Sequence, residues 1–302
     1  MSNYDVVATG LEFPEGPICM ADGSIVLVEI KRGTISRVDP DNGSVEVVAQ
    51  PGGGPNGAAL GPDGALYVCN NGGFTWGEAR GLTIPGLVPD DYSSGRIERI
   101  DINTGQVEVL YAEVDGEPLK GPNDLMFDSS GGFWFTDHGK TRSRTRDRGG
   151  LYYARPDGSL VEEVSFPLDG PNGVGLSPEE DRVYVAETHQ GSILYWELSG
   201  PGELAGSPHG RFLARPAGRK LFDSLAMDAD GNVSVATIQT GGISTFTPEG
   251  EELEFFAVDD PLCTNICFGG SDMQTAFITL SGTGQLIRTE WPRPGLALPF
   301  SG

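Results

Sequence analysis

The sequence predicts an all-β fold, a six-bladed β-propeller with four-stranded blades, on three observations. A fifteen-residue pattern recurs six times without gaps. Short runs that start on glycine and are rich in β-branched residues follow most copies at strand spacing. No stretch carries the 3.6-residue apolar period of an amphipathic helix. A jelly roll would not produce six units in register.

The copies read, in order, EGPICMADGSIVLVE from Glu15, NGAALGPDGALYVCN from Asn56, NDLMFDSSGGFWFTD from Asn123, NGVGLSPEEDRVYVA from Asn172, DSLAMDADGNVSVAT from Asp223 and NICFGGSDMQTAFIT from Asn265. Each opens on Asn, Asp or Glu. A turn-type residue stands seven positions later: Asp22, Asp63, Ser130, Glu179, Asp230 or Asp272. Such residues reverse the chain by bonding their own backbone. A second strand returns through runs such as ALYVCN and RVYVAE. The third reads GTISRVD, GRIERID, GGLYYAR, GSILYWE or GGISTFT, and the fourth SVEVVA or QVEVLY.

The sixth unit is one strand short, because PRPGLALPFSG after GQLIRTEW is poor strand sequence. YDVVATG near the N-terminus is a good strand with no place in the first unit. It is expected to supply the outer strand of blade 6 and close the ring, which removes two open sheet edges. Residues 1–302 then make a single domain, large enough to bury a sizeable core.

Charge narrows the partners. The chain has 43 acidic against 20 basic residues, a net charge of −23. Such a surface repels nucleic acid and anionic membrane, so neither is expected as a partner. No run approaches the ~18 apolar residues of a membrane span. The N-terminus lacks the basic and apolar regions of a signal peptide, so a cytoplasmic location is expected. Four irregularly spaced cysteines read as reduced thiols rather than a zinc site.

The first strand of a propeller blade lines the central channel. The six lead residues, Glu15, Asn56, Asn123, Asn172, Asp223 and Asn265, should therefore form a ring at one mouth. All six offer oxygen and two are carboxylates, a set suited to one hard divalent cation such as Ca²⁺, Mg²⁺ or Mn²⁺. The competing reading makes them turn residues bonded to their own backbone; six equivalent positions argue against it. Two long loops should overhang the same face. The first, Asn70–Gly95, brings Phe74, Trp76 and Tyr92 as an apolar wall for a substrate. The second, His138–Gly149, carries Lys140, Arg142, Arg144, Arg146 and Arg148, read as a solvated face or as an attraction for an anion. His138 and His189 fall on this face, while His209 reads as surface. No G-x-S-x-G nucleophile elbow is present.

FPEGP near the N-terminus, GPND before GGFWFTD, GPNGVGLSP and FDSLAMDADGN, in this order over nearly the whole chain, resemble the family of senescence marker protein 30, gluconolactonase and luciferin-regenerating enzyme. The resemblance implies a divalent-metal lactonase or related ester hydrolase. It puts Glu15, Asn172 and Asp223 at the family's metal ligands and Asn123 at a further ligand or substrate holder. Asn56 and Asn265 join Asn123, Phe74, Trp76 and His138 on the substrate side. Two positions depart from the pattern: His138 stands where Pro is common, and Ser224 where Gly is usual. Ca²⁺ suits the mixed amide and carboxylate set, and the family also accepts Mn²⁺, Zn²⁺ or Fe²⁺. The implied chemistry is water attack on a polarised lactone carbonyl, with Asp223 or Asp124 as base. The rival readings are a metal-binding propeller without turnover and a phosphotriesterase-like or ring-opening hydrolase on the same scaffold.

Overall fold

The computed structural model describes residues 3–218 and 220–300, and every regular element among them is a β-strand. The strands form six antiparallel sheets of the kind expected, plus short side hairpins. The inner strands are Pro14–Cys19, Pro55–Leu60, Pro122–Phe127, Pro171–Leu176, Leu221–Met227 and Cys263–Gly269. Each touches the inner strand of the next blade, and the sixth touches the first, so they enclose a central channel. The outermost strand of the sixth sheet is Asp5–Thr9, antiparallel to Gln285–Glu290, with Asp5 opposite Arg288 and Thr9 opposite Gln285.

The blades stack face to face, so their second strands bury both faces. Ile25–Glu29, Leu66–Asn70 and Phe133–Asp137 are buried throughout. This is why these strands read as unbroken apolar runs rather than alternating ones. The core is accordingly six inter-blade layers. Tyr67, Leu125, Phe127 and Phe133 fill the layer between blades 2 and 3, and Trp134, Tyr153, Val185 and Trp196 the next. Burying such side chains stabilises by about 1.5–3 kcal/mol each.

Two devices set the inner strands. First, every inner strand carries a register shift near its lead residue: Pro55/Ala58, Pro122/Leu125, Pro171/Val174 and Phe222/Leu225 flank leads directly, and blades 1 and 6 shift at Glu15/Ile18 and Cys263/Asn265. A bulge bends the strand and re-aims its side chains. Second, a polar residue at the end of the second strand anchors the loop leading into the inner strand. Asp137 accepts from the amides of Lys120 and Gly121 (both 2.7 Å) and Gly139 (2.8 Å). Glu29 takes the amide of Glu12 (2.7 Å), Asn70 that of Gly54 (2.9 Å) and Glu187 that of Asp169 (2.8 Å).

The two ends of the channel differ. Within the long loop between the second and third strands of blade 2, Trp76–Ala79 and Leu82–Pro85 pair as a hairpin. It reaches blade 6 through the amide of Thr83 to the carbonyl of Gly282 (2.9 Å). It reaches the blade 3 loop through Val88 to Thr141 (3.3 Å). At the lower end the C-terminal segment crosses the opening. Ala229 donates to Pro294 (2.9 Å), Gly295 to Met273 (2.8 Å) and Leu296 to Met227 (2.9 Å). Phe300 packs edge-on to Phe127 at 5.7 Å. Above this segment lies a largely apolar cavity of about 110 Å³.

Candidate functional site

The six lead residues come together at the upper mouth. Glu15, Asn56, Asn123, Asn172 and Asn265 are buried and Asp223 is half-buried. Contacts between blades tie them together. The Asn265 side-chain amide donates to Glu15 Oε2 (2.8 Å), which also accepts from the Gly16 amide (3.0 Å). The Thr188 hydroxyl accepts from Asn172 Nδ2 (3.2 Å), and Ser224 Oγ donates to Asn172 Oδ1 (3.4 Å). Thr136 Oγ1 donates to the Asn172 carbonyl (2.6 Å) and accepts from the Asp124 amide (3.2 Å). Ser224, which departs from the family pattern, thus steadies the neighbouring asparagine.

Asp124, next to a lead residue, belongs to the same cluster. Its Oδ1 accepts from the Leu125 amide (2.9 Å). Burial and the Glu15 carboxyl beside it push Asp124 up to about 7. Burial raises Glu15 to about 7 against the hydrogen bonds from Asn265 and Gly16. Burial, then Glu15 and Asp124, raises Asp223 well above the carboxylate range. Among the described residues, no Lys or Arg forms an ion pair with any of the three. Buried carboxylates without a counter-charge are costly.

These residues fit a hard cation. Asn123 Oδ1 is buried and has no hydrogen-bond partner, a rare condition for such an atom. Uncompensated carboxylates and a free amide oxygen form the hard-oxygen donor set of Ca²⁺ or Mg²⁺ rather than the N/S set of structural zinc. No cluster of three His, Cys, Asp or Glu side chains in metal-holding geometry exists among the described residues; two of the four expected ligands, Asn123 and Asn172, are asparagines.

The wall above the ring is aromatic. Trp76 packs against Phe74 (6.0 Å) and against Phe13 (5.1 Å). Phe13 was not foreseen as part of it. It precedes Pro14 and Glu15 and holds φ at 61°, a strained setting for a bulky residue. Its place inside FPEGP was the available signal. Tyr92, expected in the wall, instead donates its hydroxyl to the Lys120 carbonyl (2.6 Å).

In the basic loop the four arginines are exposed, as a solvated face requires, and one residue differs from expectation. Lys140 is not a surface cation: it is 1% exposed. Its ammonium donates to Gly73 O (2.6 Å) and Asn71 Oδ1 (3.3 Å) and lies 4.0 Å above the Phe74 ring. Burial pushes Lys140 down to about 7. It latches the loop that carries the aromatic wall. Arg142 pairs with Asp147 (2.9 Å) and Arg146 with Asp169 (2.5 Å), while Arg144 and Arg148 are exposed. His138 does not join Phe74 and Trp76; it meets His189 between blades 3 and 4. His209 is exposed, and the four cysteines are unpaired.

Fold and site together define a six-bladed propeller with an oxygen-donor pocket under an aromatic loop. The chain belongs to the SMP-30/gluconolactonase/LRE-like family, whose model matches residues 13–282. It is 28% identical to the gluconolactonase of Zymomonas mobilis, over 95% of this chain and 81% of that protein. A solved gluconolactonase of Xanthomonas campestris superposes with a TM-score of 0.74 at 23% identity, covering 95% of this chain and 89% of that one. The calcium-binding protein regucalcin of Agrobacterium tumefaciens does so with 0.77 at 17% identity, covering 100% and 97%. No helix among the described residues is long and apolar enough to cross a membrane.

Proposed function

We propose that this chain is a divalent-metal-dependent lactonase. The observation that carries the reading is the buried mouth cluster. Among the described residues no cation pairs with Glu15, Asp124 or Asp223, and they lie beside an unpartnered Asn123 Oδ1. The curated gluconolactonase relative supports the reaction class. Glu15, Asn123, Asn172 and Asp223 would hold one ion, with Ca²⁺ the first candidate and Mn²⁺, Zn²⁺, Fe²⁺ or Mg²⁺ the others. When bound, the ion supplies Lewis-acid polarisation of the lactone carbonyl.

The chain's own groups do the rest. Asp124 takes the proton of the attacking water; its bond from Leu125 fixes the carboxylate, and burial keeps it more basic than an exposed carboxylate. Asp223 is the poorer base, because a ligating carboxylate loses basicity. Asn265 orients Glu15. Asn56 and Asn123 offer amides to the substrate. Phe13, Phe74 and Trp76 exclude water on one side. Repulsion by the acidic surface leaves small-molecule lactones or esters as the partners, and four unpaired thiols suit the reducing cytoplasm.

The test is a panel of aldonolactones and aryl esters, assayed after EDTA and again with each metal restored. Turnover is expected to vanish on chelation and return with Ca²⁺ or another divalent ion. Glu15→Gln is expected to lower both metal affinity and rate. Metal binding without hydrolysis of any compound would make the chain a binding propeller, and unchanged behaviour of Glu15→Gln would remove Glu15 from the ligand set.

A further inference from the structure

His138 and His189 stand apart from the oxygen-donor ring. The chain has only three histidines, and two of them meet on the upper face with ring centroids 5.0 Å apart and planes at 67°. Their backbones are fixed. His138 donates its amide to Gly121 O, and Thr188, just before His189, donates to Gly170 O (both 2.9 Å).

Both Nε2 atoms border one small space. A Cβ on Gly170 would lie 2.9 Å from His189 Nε2 and 3.1 Å from His138 Nε2, so the two nitrogens are no more than 6.0 Å apart. Gly170, at φ 69°, lets the rings pack this close to the backbone, because a Cβ there would also meet His189 Cδ2 at 2.4 Å. His189 Nε2 is buried with no hydrogen-bond partner. Burial also holds both rings neutral, with His138 pushed down to about 3 and His189 lowered. The neutral ring is the form that offers a lone pair.

We propose that His138 and His189 form a second metal site, an imidazole pair that takes a divalent transition ion such as Zn²⁺, Co²⁺, Ni²⁺ or Cu²⁺ through Nε2. With metal–nitrogen bonds of about 2.0–2.1 Å, two imidazoles on one tetrahedral ion set their centroids about 5.2 Å apart. The observed spacing is 5.0 Å, so the two rings already stand at the separation that one shared ion requires. Imidazole selects these ions over Ca²⁺ and Mg²⁺, which separates this site from the ring. His189 also lines a surface pocket with Arg146, Asp169 and Lys220. That pocket is the side from which an ion and its water ligands would reach the pair. The Arg146 charge is offset by Asp169 at 2.5 Å.

The probe is Cu²⁺, added to EDTA-stripped full-length protein in the presence of excess Ca²⁺ and followed by electron paramagnetic resonance and pulsed detection of imidazole nitrogen. One equivalent with two coupled imidazoles is expected. His138→Gln and His189→Gln should each weaken binding at least tenfold and reduce the signal to one imidazole or none. Gly170→Ala, whose Cβ would press on the His189 ring at 2.4 Å and on both Nε2 atoms, should weaken binding as well, and His209→Gln should leave it unchanged. Thermal unfolding of each variant checks that it is folded. Copper bound without imidazole coupling, or coupling that survives both His138→Gln and His189→Gln in folded protein, overturns the proposal.

Discussion

Asp124 occupies a position that is glycine in three repeats, as Gly16, Gly57 and Gly173. At Gly57 a Cβ would come within 2.5 Å of the Asn123 carbonyl, and at Gly173 within 2.5 Å of the Leu225 amide. Half of the repeats therefore keep this place empty so that neighbouring inner strands can approach. A carboxylate put there is enclosed by its neighbours, which is why it titrates so high. Asp124→Asn is expected to lower kcat by about 10²–10⁴-fold, the usual worth of a general base, while Ca²⁺ affinity stays within a few-fold. Asp223→Asn should lose both. Calcium titration beside steady-state kinetics separates the two; equal loss of affinity in both variants would make Asp124 a ligand instead. At this scale the lead residues were legible because a repeat brings equivalent positions to equivalent places. Lys140 was not, since five cations within nine residues look like a solvated face until the packing of Phe74 and Tyr92 around one of them is seen.

Among the elements, the second strands were plain in the sequence, because burial on both faces demands continuous apolar runs. The bulges were not, since an inserted residue leaves no compositional trace. The loop anchors fell between. Glu29, Asn70 and Asp137 close their repeats in register, yet a polar residue at a strand end reads equally as a turn former. The hairpin inside the long loop was also missed, because GEARGLTIPG mixes charge, glycine and proline without alternation. Its attachment is now concrete. Lys140→Met keeps the stem over Phe74 but leaves Gly73 O without its side-chain donor, while Asn71 Oδ1 keeps only the Gly73 amide. Losing such a buried partner costs about 1–3 kcal/mol. Chymotrypsin is expected to cut at Phe74 or Trp76 several times faster in this variant, with a raised KM and a global unfolding midpoint that moves little. Cleavage at the wild-type rate would mean that the contacts with Gly282 and Thr141 hold the loop by themselves.

For the molecule as a whole, the mouth cluster couples stability to pH. Burial pushes Glu15 and Asp124 up to about 7 in the folded chain, against ordinary values of 4.5 and 3.8. Between those limits the folded state holds protons that the unfolded chain has released. Their contribution is thus fully present below about 4, is lost as pH rises, and reaches its minimum above 7. Metal-free protein should accordingly lose unfolding free energy between pH 5 and 8. Ca²⁺ should restore it, with a larger gain at pH 8 than at pH 5. Urea unfolding with and without Ca²⁺ at both values is the check, and an equal gain at both would place the bound ion away from these carboxylates.

The C-terminal segment across the lower opening has a further consequence for traffic. With that end stoppered, the channel is a cul-de-sac, and whatever enters from above departs the same way. Substrate and product then compete for a single doorway. The product of lactone opening is a hydroxy-acid anion, and it is released towards a protein of net charge −23. The same acidity that keeps nucleic acid away therefore helps to eject the spent molecule and clear the entrance for the next neutral one.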